Sequence, residues 1–322
     1  MLPPDGPPPD GCLDLLVVGD CNPDVLVTGG DVNPAFGQQE KLVDGISLVV
    51  GGSAAITAVA AARLGLRVAL AAAVGDDPAG EFMLGQLTRE GVGTGAVVVR
   101  RGTPTGMTVA LSAGQDRAIL TATGAMTTLT AQDVPASLLT AARHVHVSSY
   151  FLVERSLGPG LPGLLGAARA GGASTSLDTN WDPAQRWGDD NLRHTLAATG
   201  LLLPNETEAL RLSGTPTLAE AMAALGPGLV VKAGTRGALW TEGTQRCRAE
   251  PPLMAPVDTT GAGDCFNAGL IAGLLGGLDL AGAVALGCAV GAASTQAPGG
   301  TAGCPDLPTA QALARSVRIL PA

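Results

Sequence analysis

Lysine is nearly absent: Lys41 and Lys232 are the only two in 322 residues, and the arginines are scattered. With a formal net charge of −9, no segment supplies the clustered positive surface that a phosphate backbone requires, so nucleic acid is excluded as a partner. Charged residues make up 15% of the chain, low against roughly 25% in an ordinary soluble protein. Aromatics are 2%, few for the stacking platforms on which nucleobases usually rest. None of the six cysteines forms a C-x-x-C pair, and a chain of this length needs no disulfide staples; reduced thiols, mostly in the core, are expected. G-x-x-x-x-G-K-[ST] does not occur, because neither lysine follows a glycine, which excludes a P-loop. Residues 1–11 are rich in Pro and Asp and lack both a basic start and an apolar core, so no signal peptide is read and a cytoplasmic location is expected. The uncharged stretches Gly45–Ala62 and Leu280–Pro305 are mainly Ala, Gly, Ser and Thr, broken by Gly-Gly or Pro. That composition fits tightly packed buried helices, not membrane spans.

What remains is a chain 46% hydrophobic, punctuated by 46 glycines and 23 prolines, with apolar segments recurring throughout. Leu13–Gly19 is apolar enough for a strand buried on both faces. Asp24–Thr28 and Ile46–Val50 read as short strands, and Gly51-Gly52 opens a helix of small residues, Ser53–Leu64. A strand at Arg67–Val74 and a helix at Pro78–Glu90 follow, with Pro near the first helical position where its missing N–H does no harm. Val97–Arg101, Thr105–Ser112 and Arg117–Thr123 read as a meander with turns at Gly102–Pro104 and Ala113–Asp116. Strands at His144–Ser148, Ser174–Thr179, Leu201–Leu203 and Leu229–Lys232 then alternate with helices. A hairpin, Ala238–Glu242 with Gln245–Ala249, precedes helices near Ala262–Leu275, Leu280–Thr295 and Thr309–Val317. The alternation predicts a single α/β domain over residues 1–322: a doubly wound, mainly parallel sheet flanked by helices. The early strands and the meander, about 24–50 and 96–123, have no place in that sheet and are assigned to a small β lid.

One segment stands out chemically, Asp258-Thr-Thr-Gly-Ala-Gly-Asp264, leading into a helix. Gly261 and Gly263 let the backbone turn tightly around Ala262 and aim several N–H groups at one spot, where the helix terminus adds partial positive charge. Such a place suits a phosphate or a developing oxyanion, and a carboxylate beside it can accept a hydroxyl proton. An ordinary turn with Asp264 as N-cap would use the same residues. Gly19-Asp-Cys-Asn-Pro-Asp24 lies past the end of the first strand, where ligands bind in such sheets, although Asn-Pro-Asp also makes a polar turn. Asn205-Glu-Thr-Glu208 fits a capping arrangement and, beside a phosphate, a metal-organising carboxylate. His144 and His146 share one side of a strand without a recognisable third ligand, and Gly158–Gly163 matches G-x-G-x-x-G only formally, with prolines in the turn.

Asp258–Asp264 with Cys265-Phe-Asn-Ala-Gly269 resembles the C-terminal signature of the ribokinase-like (PfkB) carbohydrate kinases. Gly51 through Gly75-Asp-Asp-Pro-Ala-Gly80 to Gly91 resembles their N-terminal one, and the likeness runs from about Leu13 to Pro305. The resemblance implies an α/β body with a β lid, and transfer of the ATP γ-phosphate to a sugar or sugar-acid hydroxyl with Mg²⁺. It implies Asp264 as base and Gly261, Ala262 and Gly263 as the anion hole. Asn22, Asp24, Gly51, Gly52 and Ser53 would meet the substrate; Asn205, Lys232, Gly234, Thr235 and Gly237 the nucleotide; and Glu208 the Mg²⁺. Asp258 and Thr260 match a monovalent-cation position, with K⁺ as an optional second ion. Ile56 departs from the pattern: many relatives carry a substrate-binding Asn there, which weakens any case for ribose. No basic cluster near Asn22 or Gly52 points to a phosphorylated substrate, and Ser53 stands where a cation would serve one. Two alternatives share the sequence, a nucleoside kinase (with Phe36 or Trp181 near the base) and a non-catalytic sugar sensor. The lid's strand edges and apolar face call for cover, so a homodimer is expected.

Overall fold

The computed structural model describes residues 13–113, 116–226, 228–243 and 245–322. Cys12, the N-terminal residues read for a signal peptide and the centre of the turn expected at 113–116 lie outside the described residues. The first half of the chain forms β1 (Leu13–Val18), β2 (Asn22–Thr28), β3 (Gly45–Gly51), β4 (Val68–Gly75), β5 (Gly93–Arg100), β6 (Met107–Ala113) and β7 (Asp116–Ala122). The second half forms β8 (Ala142–Val147), β9 (Ser174–Leu177), β10 (Leu201–Leu202), β11 (Val230–Lys232), β12 (Ala238–Glu242), β13 (Gln245–Glu250) and β14 (Arg318–Pro321).

Six strands build the central sheet in the order β10-β9-β8-β1-β4-β5, all parallel. Period-2 alternation splits their side chains between two cores. Leu15, Val17, Leu70, Ala72 and Val74 pack on one side with the helices Ser53–Arg63, Ala262–Leu275 and Leu280–Ser294. Leu16, Val18, Ala69, Ala71 and Ala73 pack on the other with the helix Leu161–Ala170. Because both faces are covered, β4 and β1 from Leu15 onward read as continuous apolar runs, while β8 and β9 bury His144, His146 and Ser176 among their apolar residues. The doubly wound expectation is met.

The small-residue helices are packed as their composition demands. A Cβ on Gly269 would lie 2.9 Å from Leu286 O, and one on Gly291 2.9 Å from Ala262 O, so the helices Ala262–Leu275 and Leu280–Ser294 touch backbone to backbone. Among the described residues no helix is long and apolar enough to cross a membrane.

Four strands form the lid in the order β3-β2-β6-β7, antiparallel except for the β2–β6 pair. One strand expected there belongs elsewhere. The segment read as Val97–Arg101 lies, as far as Arg100, in β5, which pairs parallel with β4 at the edge of the central sheet. It completes a strand–helix–strand crossover through Pro78–Arg89, and its half-exposed edge position, with Val99 45% exposed, gives it the alternating look of a surface strand. Leu229–Lys232 also departs from expectation. It touches the parallel sheet only through single bridges, Leu202 to Leu229 and Asn205 to Lys232, and pairs fully with β12 in an antiparallel sheet β11-β12-β13-β14. The last helix is Leu307–Ala314, not Thr309–Val317, because Arg318–Pro321 leaves it to pair with β13.

Candidate active site

A cavity of about 820 Å³ opens where β1, β9 and β11 end, and the lid strands β6 and β7 contribute Thr108, Ala110, Ile119 and Thr121 to its wall. Strand carboxyl ends are where ligands bind in open parallel sheets.

Gly261 is the N-cap of the helix Ala262–Leu275, at φ 70° and within 2.7 Å of Gly300 Cα for any added Cβ, so no other residue fits. Asp264 is therefore the third residue of the first turn and not the N-cap, which removes the plain capping reading. First-turn amides have no acceptor within their own helix and carry the positive end of its dipole. Gly261, Ala262, Gly263 and Asp264 all border the cavity. The Asp264 carbonyl accepts a hydrogen bond from Thr57 Oγ1 at 3.3 Å, which fixes the turn against the helix Ser53–Arg63. Asp264 is only 8% exposed. Burial, reinforced by the charge of Asp178, holds its carboxyl well above the usual carboxylate range.

Asp178, one residue past β9, was not anticipated. It forms a buried ion pair with Lys232 Nζ and accepts Asn267 Nδ2 at 2.6 Å. Lys232 leans over the Gly261–Gly263 turn: a Cβ on Gly263 would lie 3.5 Å from its Nζ. Burial pulls the Lys232 ammonium toward deprotonation, but Asp178 and Glu208 outweigh it and leave the proton more tightly held than in free lysine. Glu208 closes a capping box with Asn205. Glu208 N–H donates to Asn205 Oδ1 (2.9 Å), and Asn205 N–H donates to Glu208 Oε2 (2.8 Å). Both residues also line the cavity, so the capping and site readings hold together. Desolvation and the nearby Asp178 push the Glu208 carboxyl up to about 7. Gly234, Thr235 and Gly237 border the same end.

At the other end Asn22 Nδ2 donates to Asp24 Oδ1 (3.2 Å) and to Thr108 Oγ1 on the lid (3.1 Å). Gly52 and Ser53 line the cavity but Gly51 does not; its missing side chain leaves room for the Asp24 carboxylate, 2.0 Å from where a Cβ would stand. Asp20, a further unanticipated residue, accepts the Ser53 and Ala54 amides at 3.0 and 2.9 Å, capping the helix behind Gly52. Asn180 Nδ2 donates to Ser53 Oγ at 2.6 Å, and Asn180 holds φ 56°. Left-handed non-glycine residues of this kind concentrate at functional sites. The Asp178-Thr-Asn180 stretch directly after a buried parallel strand was the signal that could have found Asp178 and Asn180.

Asp258 acts as a brace: its Oδ1 accepts Thr260 N–H and Oγ1, and its Oδ2 accepts Gly299 N–H at 2.8 Å, tying the 258–261 segment to the 298–300 turn. Five cysteines among the described residues are free, and Cys265 and Cys304 bring their sulfurs to 3.0 Å behind the loop. His144 and His146 are bound by Ser174, Ser176 and Ser148, and burial drives them down to about 3 and about 4, so they are neutral core residues. Among the described residues no group of three or more His, Cys, Asp or Glu forms a metal cage.

A family model described as pfkB family carbohydrate kinase matches residues 13–307. A ribokinase of Bacillus subtilis (strain 168) is 30% identical over 266 residues, covering 83% of this chain and 87% of its own. The 2-dehydro-3-deoxygluconokinase of the same strain is 32% identical over 295 residues, with 82% and 85% covered. Among solved structures, a fructokinase from Vibrio cholerae O395 in its fructose, ADP and calcium ion bound form superposes with a TM-score of 0.80 at 25% identity, covering 94% of this chain and 99% of its own.

Proposed function

The chain belongs to the pfkB family of carbohydrate kinases, and we propose that it moves the γ-phosphate of MgATP to a hydroxyl of a sugar-like polyol, with Asp264 as the base. The observation that carries this reading is the buried Asp264 carboxylate in the same first turn whose amides border the cavity. The acceptor hydroxyl gives its proton to the Asp264 carboxylate as its oxygen attacks the γ-phosphorus, and the bond to the β-phosphate oxygen breaks. The amides of Gly261 to Gly263 take the charge that spreads over the transferring oxygens. A raised proton affinity suits Asp264 to that task near neutral pH. Lys232, held in place by Asp178, supplies positive charge over Gly263, and Asn205, Gly234, Thr235 and Gly237 frame the nucleotide end.

Glu208, fixed by Asn205, would hold the Mg²⁺ of the bound nucleotide, an ion that commonly needs only one or two protein carboxylates and would supply charge to offset that of the phosphates. Asn22 and Asp24 hold acceptor hydroxyls, with Ser53 and Asn180 beside them. Asp258 and Thr260 would hold a K⁺ ion beside the turn that Asp258 ties to Gly299. The protein acts in the cytoplasm as a homodimer through the lid, where Ile46 and Leu48 alternate outward on β3 at 68% and 44% exposure. Light scattering at micromolar concentration reads the mass, and a monomer would remove the dimer from the proposal.

Release of ADP in the presence of a panel of polyols, MgATP and K⁺ tests the whole. Turnover that requires one of the polyols supports it. Tight polyol binding without any ADP release would replace it by the sensor reading.

A further inference from the structure

The charges around the cavity are one-sided. Among the described residues Asp20, Asp24, Asp178, Glu208 and Asp264 border it against a single cation, Lys232, and that ammonium is engaged by Asp178 at the nucleotide end. Around Asn22, Asp24, Ser53 and Asn180, no Lys, Arg or His side chain among the described residues borders the cavity. Among the described residues, an anionic group brought there would meet carboxylates and no countercharge, in a site where desolvation strengthens repulsion.

The same end has an apolar wall. Ile56, Leu152, Ile119 and Trp181 border it, and two of these leave large apolar areas uncovered: Trp181 is 48% exposed and Ile119 53%. The Trp181 ring stands edge-to-face on Trp187, centroids 5.0 Å apart at 83°, and Trp187 stands likewise on the buried Phe151 at 5.5 Å and 75°. A ring braced in this way offers a rigid flat surface to a ligand at small entropic cost. In a chain with eight aromatic residues (four Phe, three Trp, one Tyr), such a surface on the cavity wall calls for an occupant.

We propose that the acceptor is an uncharged polyol bearing a flat or apolar substituent, its hydroxyls held by Asn22 and Asp24 and its substituent seated against Trp181 and Ile119. Nucleosides and aryl glycosides share this chemistry; sugar acids and sugar phosphates would bring a negative charge against Asp24, and free monosaccharides would leave Trp181 and Ile119 uncovered. The inference rests on the kinase reading of the cavity, and its tests separate the two.

Acceptors of four kinds are compared with MgATP: inosine, a phenyl riboside, free ribose and fructose, and the anions 2-keto-3-deoxygluconate and fructose 6-phosphate. Substituted neutral acceptors are expected to exceed the anions by at least about a hundredfold in kcat/KM, the size of discrimination that an unpaired charge imposes. Inosine against phenyl riboside distinguishes the two sources of the substituent. Trp181→Ala is expected to raise KM for the substituted acceptor about tenfold while kcat, the KM for ATP and the KM for ribose stay within about twofold. Isothermal titration of the same acceptors into Asp264→Asn reads affinity without turnover. An anion phosphorylated best would overturn the charge assignment and leave the kinase reading intact. Free sugars preferred, with Trp181→Ala silent, would overturn the substituent. Binding in the expected order with no ADP release from the wild type would sustain the inference and sink the kinase reading.

Discussion

In Asp264→Asn the side chain keeps its shape and loses its ability to accept a proton. A positioned general base is worth about 10²–10⁴ in rate, which at 1.36 kcal/mol per decade corresponds to about 2.7–5.4 kcal/mol of barrier. ADP release in a coupled assay is therefore expected to fall at least about a hundredfold, with acceptor affinity retained. Folding stability is expected to move the other way. Burial and Asp178 raise the proton affinity of Asp264 in the folded chain, so it stays protonated there after the unfolded chain has released its proton. Its contribution to stability is complete below the unfolded value of about 3.9 and is lost as pH rises through the higher folded value. Asparagine carries no charge to lose, so the variant should be at least as stable as the wild type at pH 7 to 8. The wild-type kcat/KM should also show an acid limb displaced upward from the ordinary carboxylate range. Unchanged turnover would refute the reasoning, and so would lost turnover accompanied by a fall in Tm, since that would mean the carboxylate serves the fold.

Lys232→Met leaves Asp178 buried without its partner; breaking a pair of this kind costs about 3–5 kcal/mol, and denaturant melts should show it as a lower midpoint at constant slope. Gly261→Ala must force a Cβ to 2.7 Å from Gly300 Cα at φ 70°, for about 1–3 kcal/mol of strain, and kcat should collapse with the displaced loop. Gly263→Ala meets only ordinary contact at 3.5 Å with Lys232 Nζ, so its Tm should stay close to wild type; equal damage at the two glycines would refute the geometric distinction. Because the Glu208 carboxyl is pushed up to about 7, MgATP binding should strengthen as pH rises through that value, and Glu208→Gln should flatten the dependence measured by titration calorimetry.

Much of this site was legible because it is local in sequence. The Gly261–Asp264 turn, the Asn205–Glu208 box and the Gly51–Ser53 helix entry each need only a few consecutive residues, and small side chains in the helices foretold backbone contact. What stayed hidden depends on distant pairing. Asp178 and Lys232 are 54 positions apart, and only the end-to-end alignment of β9 and β11 makes them an ion pair. Asp20 looked like part of a polar turn until the helix Ser53–Arg63 placed its bare amides on the carboxylate. Val97–Arg101 and Leu229–Lys232 are strands that pair elsewhere than expected: the edge strand β5 shares the half-exposed pattern of a lid strand, and β11, buried like a central strand, takes β12 as its partner. Gly51 shows a subtler limit: sequence marked a position that tolerates no side chain, but the neighbour requiring that space is Asp24, not a ligand.

The most direct measurement is a crystal structure of the protein with a non-hydrolysable MgATP analogue and an acceptor that supports turnover. An acceptor hydroxyl within hydrogen-bond reach of the Asp264 carboxylate, and a terminal phosphate on the amides of Gly261 to Gly263, is the predicted arrangement. A hydroxyl bound instead to Asp178 or Glu208, or a phosphate lying away from that helix, would contradict it.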